Sequence, residues 1–163
     1  MKSVLIAIRP KWTEKIASGQ KTIEVRKTAP QEVPFKAYIY CTKGKDGYEW
    51  LYRVDNRGHG KAQSWHGKVI GEFVCNSVDE YPYDYCDGVD IDDDTILETA
   101  IDREDINIYA KGKTLYGLHI SDLKIYDKPR NLSEFGKVGF GHKVPLCRPP
   151  QSWMYIEDLG EEE

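Results

Sequence analysis

A short segment near the N-terminus combines the residue types that hold anions in proteins. Lys21, Glu24 and Arg26 lie within six positions of one another. An arginine guanidinium can bind a phosphate or a carboxylate through two hydrogen bonds, and a lysine adds a compact positive charge. Glu24 can accept a hydrogen bond from an amino group of a base, or it can hold Arg26 in place. An ion pair on an exposed sheet face has the same spacing, so both interpretations stay open.

Cations and aromatic rings elsewhere extend this candidate site. Arg9 and Lys11 precede the segment and add two positive charges. Near the C-terminus, Gln151 and Trp153 follow two prolines that hold the chain extended. Trp153 can stack on a base while Gln151 contacts the base edge. The alternative is that Trp153 closes the core from the last strand.

The surrounding pattern predicts a strand, a short helix and a second strand that position the motif. Residues 4–9 form a buried aliphatic run, which predicts a strand. A proline then opens a helix over residues 11–18, and a glycine ends it. Residues 21–27 return with the period-two alternation of a strand.

Alternation within the second strand assigns its side chains to two faces. Ile23 and Val25 point one way, whereas Thr22, Glu24 and Arg26 point the other way. We therefore expect the two aliphatic residues to be buried and the charged residues to lie on the outward face, where a ligand can reach them.

The remaining chain reads as strands with one further helix. The predicted segments are strands at 35–42, 68–78, 114–126 and 152–156, a helix at 95–110, a glycine- and charge-rich stretch at 43–68 with a short hairpin arm at Trp50–Tyr52, an acidic loop at 79–94 and an irregular segment at 129–146. Gly71 inside a strand indicates a bulge or a close backbone approach. This pattern predicts an α+β fold in which mostly antiparallel strands form a small β-barrel with two or more helices.

The length fits one domain. We interpret residues 1–156 as that domain, with an acidic insert at 79–94 and a flexible acidic tail at 157–163.

Charge divides the chain into acidic and basic parts, although the net charge is only −4. Residues 76–105 hold twelve acidic side chains and one basic side chain, whereas residues 1–75 hold fourteen basic and seven acidic ones. Residues 106–156 hold eight basic and three acidic side chains. This segregation allows a nucleic acid to bind despite the acidic composition. Lysines scattered over a solvated surface would give the same counts.

Composition and spacing exclude several functional classes. No apolar run approaches the ~20 residues of a membrane span, so we expect no membrane association. The four cysteines lack zinc-site spacing, and we interpret them as reduced thiols of a cytoplasmic protein. The acidic run at 90–94 lacks the glycine and the closing glutamate of a calcium loop. No glycine-rich phosphate loop is present, so we expect neither a metal nor a cofactor.

Residues 8–27 resemble the opening of an ASCH (activating signal cointegrator homology) domain. The family motif G-x-K-x-x-E-x-R is matched, after a strand and a helix, by Gly19, Lys21, Glu24 and Arg26. Residues 67–75 and 115–125 also look like core strands of that family. The resemblance implies a PUA-like β-barrel with a cleft between the barrel and the helices. It also implies binding of RNA or of a modified nucleoside.

Some members of the family act as enzymes, which gives an alternative function. Small bacterial relatives hydrolyse N4-acylated cytidine, and others have been linked to RNA cleavage. The hydrolytic pattern has a threonine three residues after the lysine, where this chain has Glu24 and offers Thr22 instead. A hydrolase would use Lys21 to activate a water or hydroxyl, with Glu24 or Glu72 as general base. We expect Glu24 to keep Lys21 charged, which is a poor state for a base.

The sequence therefore predicts a module that binds RNA or a nucleotide, with a lysine-dependent hydrolase as the alternative. The expected ligand-binding residues are Arg9, Lys11, Lys21, Glu24, Arg26, Gln151 and Trp153. No motif indicates a protein partner.

Overall fold

The computed structural model describes residues 1–43, 52–53 and 63–160. These residues form β1 (Lys2–Ile8), α1 (Pro10–Ala17), β2 (Ile23–Arg26), β3 (Phe35–Cys41), β4 (Tyr52–Arg53), β5 (Gln63–Ser64), β6 (Lys68–Cys75), β7 (Val78–Tyr81), β8 (Tyr83–Asp84), β9 (Gly88–Val89), α2 (Asp93–Thr99), α3 (Arg103–Ala110), β10 (Leu115–His119), β11 (Ser121–Asn131) and β12 (Trp153–Ile156).

Five strands form the larger sheet, in the order β11-β6-β3-β1-β12. β1 and β3 run parallel, and the other neighbouring pairs are antiparallel. The first of these two strands is a continuous aliphatic run because both faces of the sheet are covered. One face packs against Ile16 of α1 and Leu118 of β10, and the other packs against Phe135 and Leu146.

A smaller antiparallel sheet has the order β2-β10-β7. It packs Ile23 and Val25 against Ile106 of α3. Gly117 in β10 lies directly against Tyr81, where an added Cβ would come within 2.2 Å of the tyrosine oxygen. Because residue 117 is a glycine, the Tyr81 side chain of β7 can lie flat on the sheet.

The predicted α+β class and the mostly antiparallel pairing are confirmed, but the strands form separate sheets rather than a closed barrel. The strand predicted at 114–126 is in fact two strands that belong to different sheets. The chain leaves the smaller sheet after β10 and enters the larger sheet as β11, with Asp122 in the left-handed conformation (φ 48°) at the start.

The helix predicted at 95–110 is also two elements. Ala100 adopts the left-handed conformation (φ 57°) and ends α2, and Asp102 precedes α3. The acidic run does begin a helix, since the Asp92 side chain accepts a 2.7 Å hydrogen bond from the backbone N–H of Thr95. The insert at 79–94, expected as a loop, instead contains most of β7 together with β8 and β9.

The segment after β12, where a flexible tail is expected from residue 157, contacts the larger sheet at its start. Asp158 accepts a hydrogen bond from the Tyr38 hydroxyl, and Leu159 packs against the core on that side of the larger sheet. Burial, together with this hydrogen bond, raises the pKa of Tyr38 to about 12. Residues up to Leu159 therefore belong to the packed structure.

Two further expectations can be compared only with the residues that the structure describes. The hairpin arm predicted at Trp50–Tyr52 lies mostly outside the described residues, within which β4 pairs with β5. None of the helices in the described ranges is long and apolar enough to cross a membrane.

Candidate functional site

β2 carries the motif, and both faces of this strand are buried. Ile23 and Val25 enter the core of the smaller sheet, as predicted. Glu24 and Arg26 point to the opposite face, but only 5% and 9% of their surfaces are exposed. The expectation of an exposed charged face is wrong, because this side of β2 is turned towards other elements. Buried charges of this kind need protein partners.

Arg26 connects β2 to the edge of the larger sheet. Its Nε donates to Oε1 of Glu24 at 3.1 Å, and its Nη2 donates to the carbonyl oxygen of Ala7 at 2.7 Å. Nη1 donates to the Ser152 hydroxyl at 3.4 Å. The pairing of β1 with β12 ends at Ile6 and Trp153. Ala7 and Ser152 are the next residues beyond this pair. Arg26 therefore bridges the gap between the two sheets.

Lys21 lies just before β2 and is almost fully buried, with 2% of its surface exposed. Its Nζ donates a 2.7 Å hydrogen bond to the carbonyl oxygen of Thr99, the last residue of α2. This contact satisfies one of the carbonyl groups that a helix leaves unpaired at its C-terminus. The ammonium also lies 5.1 Å from the centre of the Trp12 ring. Lys21 thus ties α1 and α2 to the motif.

The pKa of Lys21 is lowered. Desolvation by burial is the largest cause, and it outweighs the opposing effect of Glu24, whose Oε2 lies 3.9 Å from Nζ. The nearby charge of Arg26 lowers the pKa of Lys21 further. Glu24 does favour the charged form of Lys21, as expected, but the larger opposing effect of burial was missed because the sequence did not reveal how deeply Lys21 lies.

Glu24 occupies the space between these two cations. Its Oε1 accepts from Arg26, so one of the two roles open at the outset, holding the arginine in place, is observed. Its Oε2 is buried and has no hydrogen-bond partner among the described residues. The carboxylate is balanced by charge on both sides but is incompletely hydrogen-bonded.

A cleft of about 580 Å³ opens beside this cluster. Its floor includes the buried Lys21, Glu24 and Arg26, and two aromatic side chains lie in its walls: Trp12 from α1 and Tyr109 from α3. The other lining residues are Ala7, Arg9, Val25, Lys27, Thr28, Thr42, Ile101, Asp105, Gln151 and Ser152. Four cations, two carboxylates and two rings are therefore combined in one cavity.

The cleft brings together five of the seven predicted ligand-binding residues: Arg9, Lys21, Glu24, Arg26 and Gln151. Lys11 is not part of the lining; its ammonium lies 4.8 Å from the centre of the Trp12 ring. Trp153 is also outside the lining. Its Nε1 donates to the hydroxyl of Thr28 at 3.1 Å, and its ring packs on Tyr155 and the core. For Trp153 the core-closing alternative describes the observed contacts.

The two further residues of the hydrolase alternative lie elsewhere. Thr22 is exposed, outside the cleft, and its backbone N–H donates to the carbonyl oxygen of Glu98. Glu72 accepts a 2.8 Å hydrogen bond from Tyr126 and lies 3.6 Å from Lys36. Tyr126 packs on the face of the larger sheet opposite to α1. Neither residue converges with Lys21.

Sequence reasoning missed the wall that α3 contributes. Asp105 and Tyr109 are four positions apart on this helix and so share a face. The spacing is visible in the sequence, but the prediction of a single helix over 95–110 gave no reason to expect that this face lies next to the motif. The break at Ala100 and the contact of Lys21 with the end of α2 are what bring α3 to the cleft.

No group of three or more His, Cys, Asp or Glu side chains that could hold a metal ion occurs among the described residues.

Three solved structures from Zymomonas mobilis match most of this chain. The crystal structure of its ASCH protein has a TM-score of 0.60 at 17% identity, covering 96% of this chain and 88% of that one. Its tyrosine-to-phenylalanine variant has a TM-score of 0.61 at 16% identity, covering 98% and 93%. Its serine-to-alanine variant has a TM-score of 0.61 at 17% identity, covering 97% and 90%. No protein-family model and no curated protein matches the sequence.

Proposed function

Because this chain has the ASCH fold that its N-terminal segment predicted, we propose that it binds RNA or a nucleotide by enclosing one base in the cleft. The observation that carries this proposal is the presence of two aromatic rings and four cations in the lining of a single cavity. Bases stack on aromatic rings, and phosphates are held by cations.

The dimensions and walls of the cleft suit a base. Its volume of about 580 Å³ lies within the usual range for small-molecule sites. Trp12 and Tyr109 are only partly buried, so each ring retains a surface that a ligand can cover. Tyr109 is 38% exposed. Stacking on such rings is worth roughly 1–3 kcal/mol per base.

Charge on the rim and on the floor would serve different parts of a nucleotide. Arg9 and Lys27 line the cleft and are exposed, which suits contacts with phosphate. Arg26 has five N–H groups, of which three are engaged by described residues. Its remaining two N–H groups give the floor donors for a base edge.

Calorimetric titration with the four ribonucleoside monophosphates and with short RNAs tests this proposal. Tyr109→Ala should weaken binding by roughly 1–3 kcal/mol through loss of stacking. Tyr85→Ala is the matched control because Tyr85 is 93% exposed and does not line the cleft. Wild-type affinity in the Tyr109 variant, or no binding of any nucleotide, would contradict the proposal.

A hydrolase of a modified nucleoside, or a ribonuclease, is the second candidate, and one observation favours it. Burial lowers the pKa of Lys21 beside a carboxylate, which raises the fraction of neutral amine that can accept a proton at a given pH. We expect no efficient cleavage of N4-acetylcytidine, because Thr22 and Glu72 do not join Lys21. A chromatographic assay with the wild type and Lys21→Met tests this. Turnover that disappears in a folded variant would place the enzyme first.

A further inference from the structure

A loop at residues 136–145 projects from the same edge of the larger sheet as the cleft. Its base is closed by a bridge between Gly136 and Pro145 and by a 2.9 Å hydrogen bond from the backbone N–H of Lys137 to the carbonyl oxygen of Val144. Lys137 also forms a bridge with Ile156, the last residue of β12. We call this segment the basic loop. Its base is fixed to β12, and Phe140, His142 and Lys143 line a cavity together with Glu134, Glu157 and Asp158.

The tip combines an exposed ring with positive charge. Phe140 is 52% exposed, and its ring lies edge-on to that of His142, 6.5 Å away. Lys137 and Lys143 flank this pair, and both are exposed. No acidic residue occurs between positions 135 and 156 of the chain. Basic side chains interleaved with exposed rings are the features with which proteins hold single-stranded nucleic acid.

β12 joins the basic loop to the cleft. Gln151 and Ser152 line the cleft immediately before β12, and the loop pairs with the opposite end of that strand at Ile156. Four strand residues span roughly 10–13 Å. A strand of RNA with one base in the cleft can therefore reach the loop within a few nucleotides.

Acidic side chains near α2 and α3 disfavour a path of the RNA over that side of the cleft. α2 and the first three residues of α3 lie within the segment 76–105, which has twelve acidic side chains and one basic one. Of the three carboxylates that line the cavity at the basic loop, two are engaged by cations. Asp158 is paired with Lys36 at 3.6 Å, and Glu134 is paired with Arg130 at 3.6 Å. The excess of acidic side chains is therefore larger on the side of α2 and α3 than at the basic loop, which favours a path of a polyanion towards the loop.

From this arrangement we propose that the basic loop is a second binding site for the same ligand, which is therefore a single-stranded RNA that extends from the cleft along β12. The proposal rests on the proposed function of the cleft. Phe140 and His142 stack on a base outside the cleft, and Lys137 and Lys143 contact the flanking phosphates.

Fluorescence anisotropy with a labelled single-stranded RNA of about eight nucleotides, within the usual site sizes for such modules, tests the loop. Calorimetry with a mononucleotide tests the cleft alone. Phe140→Ala/His142→Ala should weaken oligonucleotide binding at least about fivefold, the lower limit for one lost stack. Lys137→Ala/Lys143→Ala should weaken it and reduce the salt dependence by roughly one power per lost contact. Mononucleotide affinity should stay unchanged in both.

The control variant is Lys124→Ala/Lys128→Ala, which removes two exposed lysines from β11 at the opposite edge of the sheet. Oligonucleotide affinity that falls only in the loop variants supports the proposal. Unchanged affinity in the loop variants, or an equal loss in the control, overturns it while mononucleotide binding still reports on the cleft. Absence of mononucleotide binding in the wild type would overturn the function of the cleft and this proposal with it.

Discussion

Glu24→Gln isolates the charge of the buried carboxylate, because glutamine keeps the shape of the side chain and an oxygen that can accept from Arg26. In the wild type, Oε1 lies 3.1 Å from Nε of Arg26 and Oε2 lies 3.9 Å from Nζ of Lys21. At an effective dielectric of about 20, each such attraction is roughly 4–5 kcal/mol before desolvation is subtracted. Removing the carboxylate leaves two buried cations uncompensated, which typically costs about 3–5 kcal/mol.

Chemical denaturation followed by tryptophan fluorescence measures this loss directly. The same loss should lower the melting temperature by roughly 6–20 °C in a chain of this size. Glu32→Gln is the matched control, because Glu32 is an exposed partner of Lys2 at 3.5 Å. Such a surface pair contributes at most about 1 kcal/mol. If Glu24→Gln cost no more than the control, the cluster would not depend on its carboxylate and the reasoning would be refuted.

Three further predictions test the buried groups and the sheet. In the folded wild type the pKa of Lys21 lies below its ordinary 10.5, so unfolding takes up a proton. The stability of the wild type should therefore rise relative to that of Lys21→Met as the pH approaches 10.5. Parallel profiles of stability against pH would contradict this. The pKa of Tyr38, raised to about 12, predicts the opposite slope: between pH 10 and about 12 the wild type should lose stability relative to Tyr38→Phe in denaturation experiments. Gly71→Ala should cost roughly 1–3 kcal/mol, because its Cβ would lie 2.4 Å from a backbone carbonyl oxygen of β11. Gly141→Ala, which meets nothing within 4 Å, should change the free energy of unfolding by less than about 0.5 kcal/mol, and similar costs for both would falsify the packing argument.

Local patterns predicted the opening of the chain closely. The aliphatic run, the proline and the glycine end-cap correspond to β1, α1 and the turn before β2. Gly71 was predicted to mark a bulge or a close approach, and both occur: β11 crowds its backbone, and the register of β3 and β6 shifts beside it. These features depend on neighbours in sequence or on one missing side chain, so the pattern alone contains them.

Tertiary packing decided the points that the sequence left undetermined. Period-two alternation placed Glu24 and Arg26 on one face correctly, but nothing in β2 itself reveals that β1 and Ser152 cover that face. Because burial could not be read from the sequence, the expected effect of Glu24 on the pKa of Lys21 was right in direction, but the larger lowering by desolvation was missed. The predicted helix is divided at Ala100, which adopts a left-handed backbone conformation. Alanine rarely adopts this conformation, so the residue type gave no sign of the break.

The cleft is assembled from parts of the chain that are far apart in sequence. Lys21 bonds to Thr99 across 78 positions, and Arg26 bonds to Ser152 across 126 positions. Contacts of such separation carry a high loop-closure entropy and set a slow step in folding. During synthesis the site cannot be completed until the residues before β12 have joined it. A ligand that requires the finished cleft would therefore bind only folded chains that include Ser152, and its presence would shift the folding equilibrium towards them by mass action.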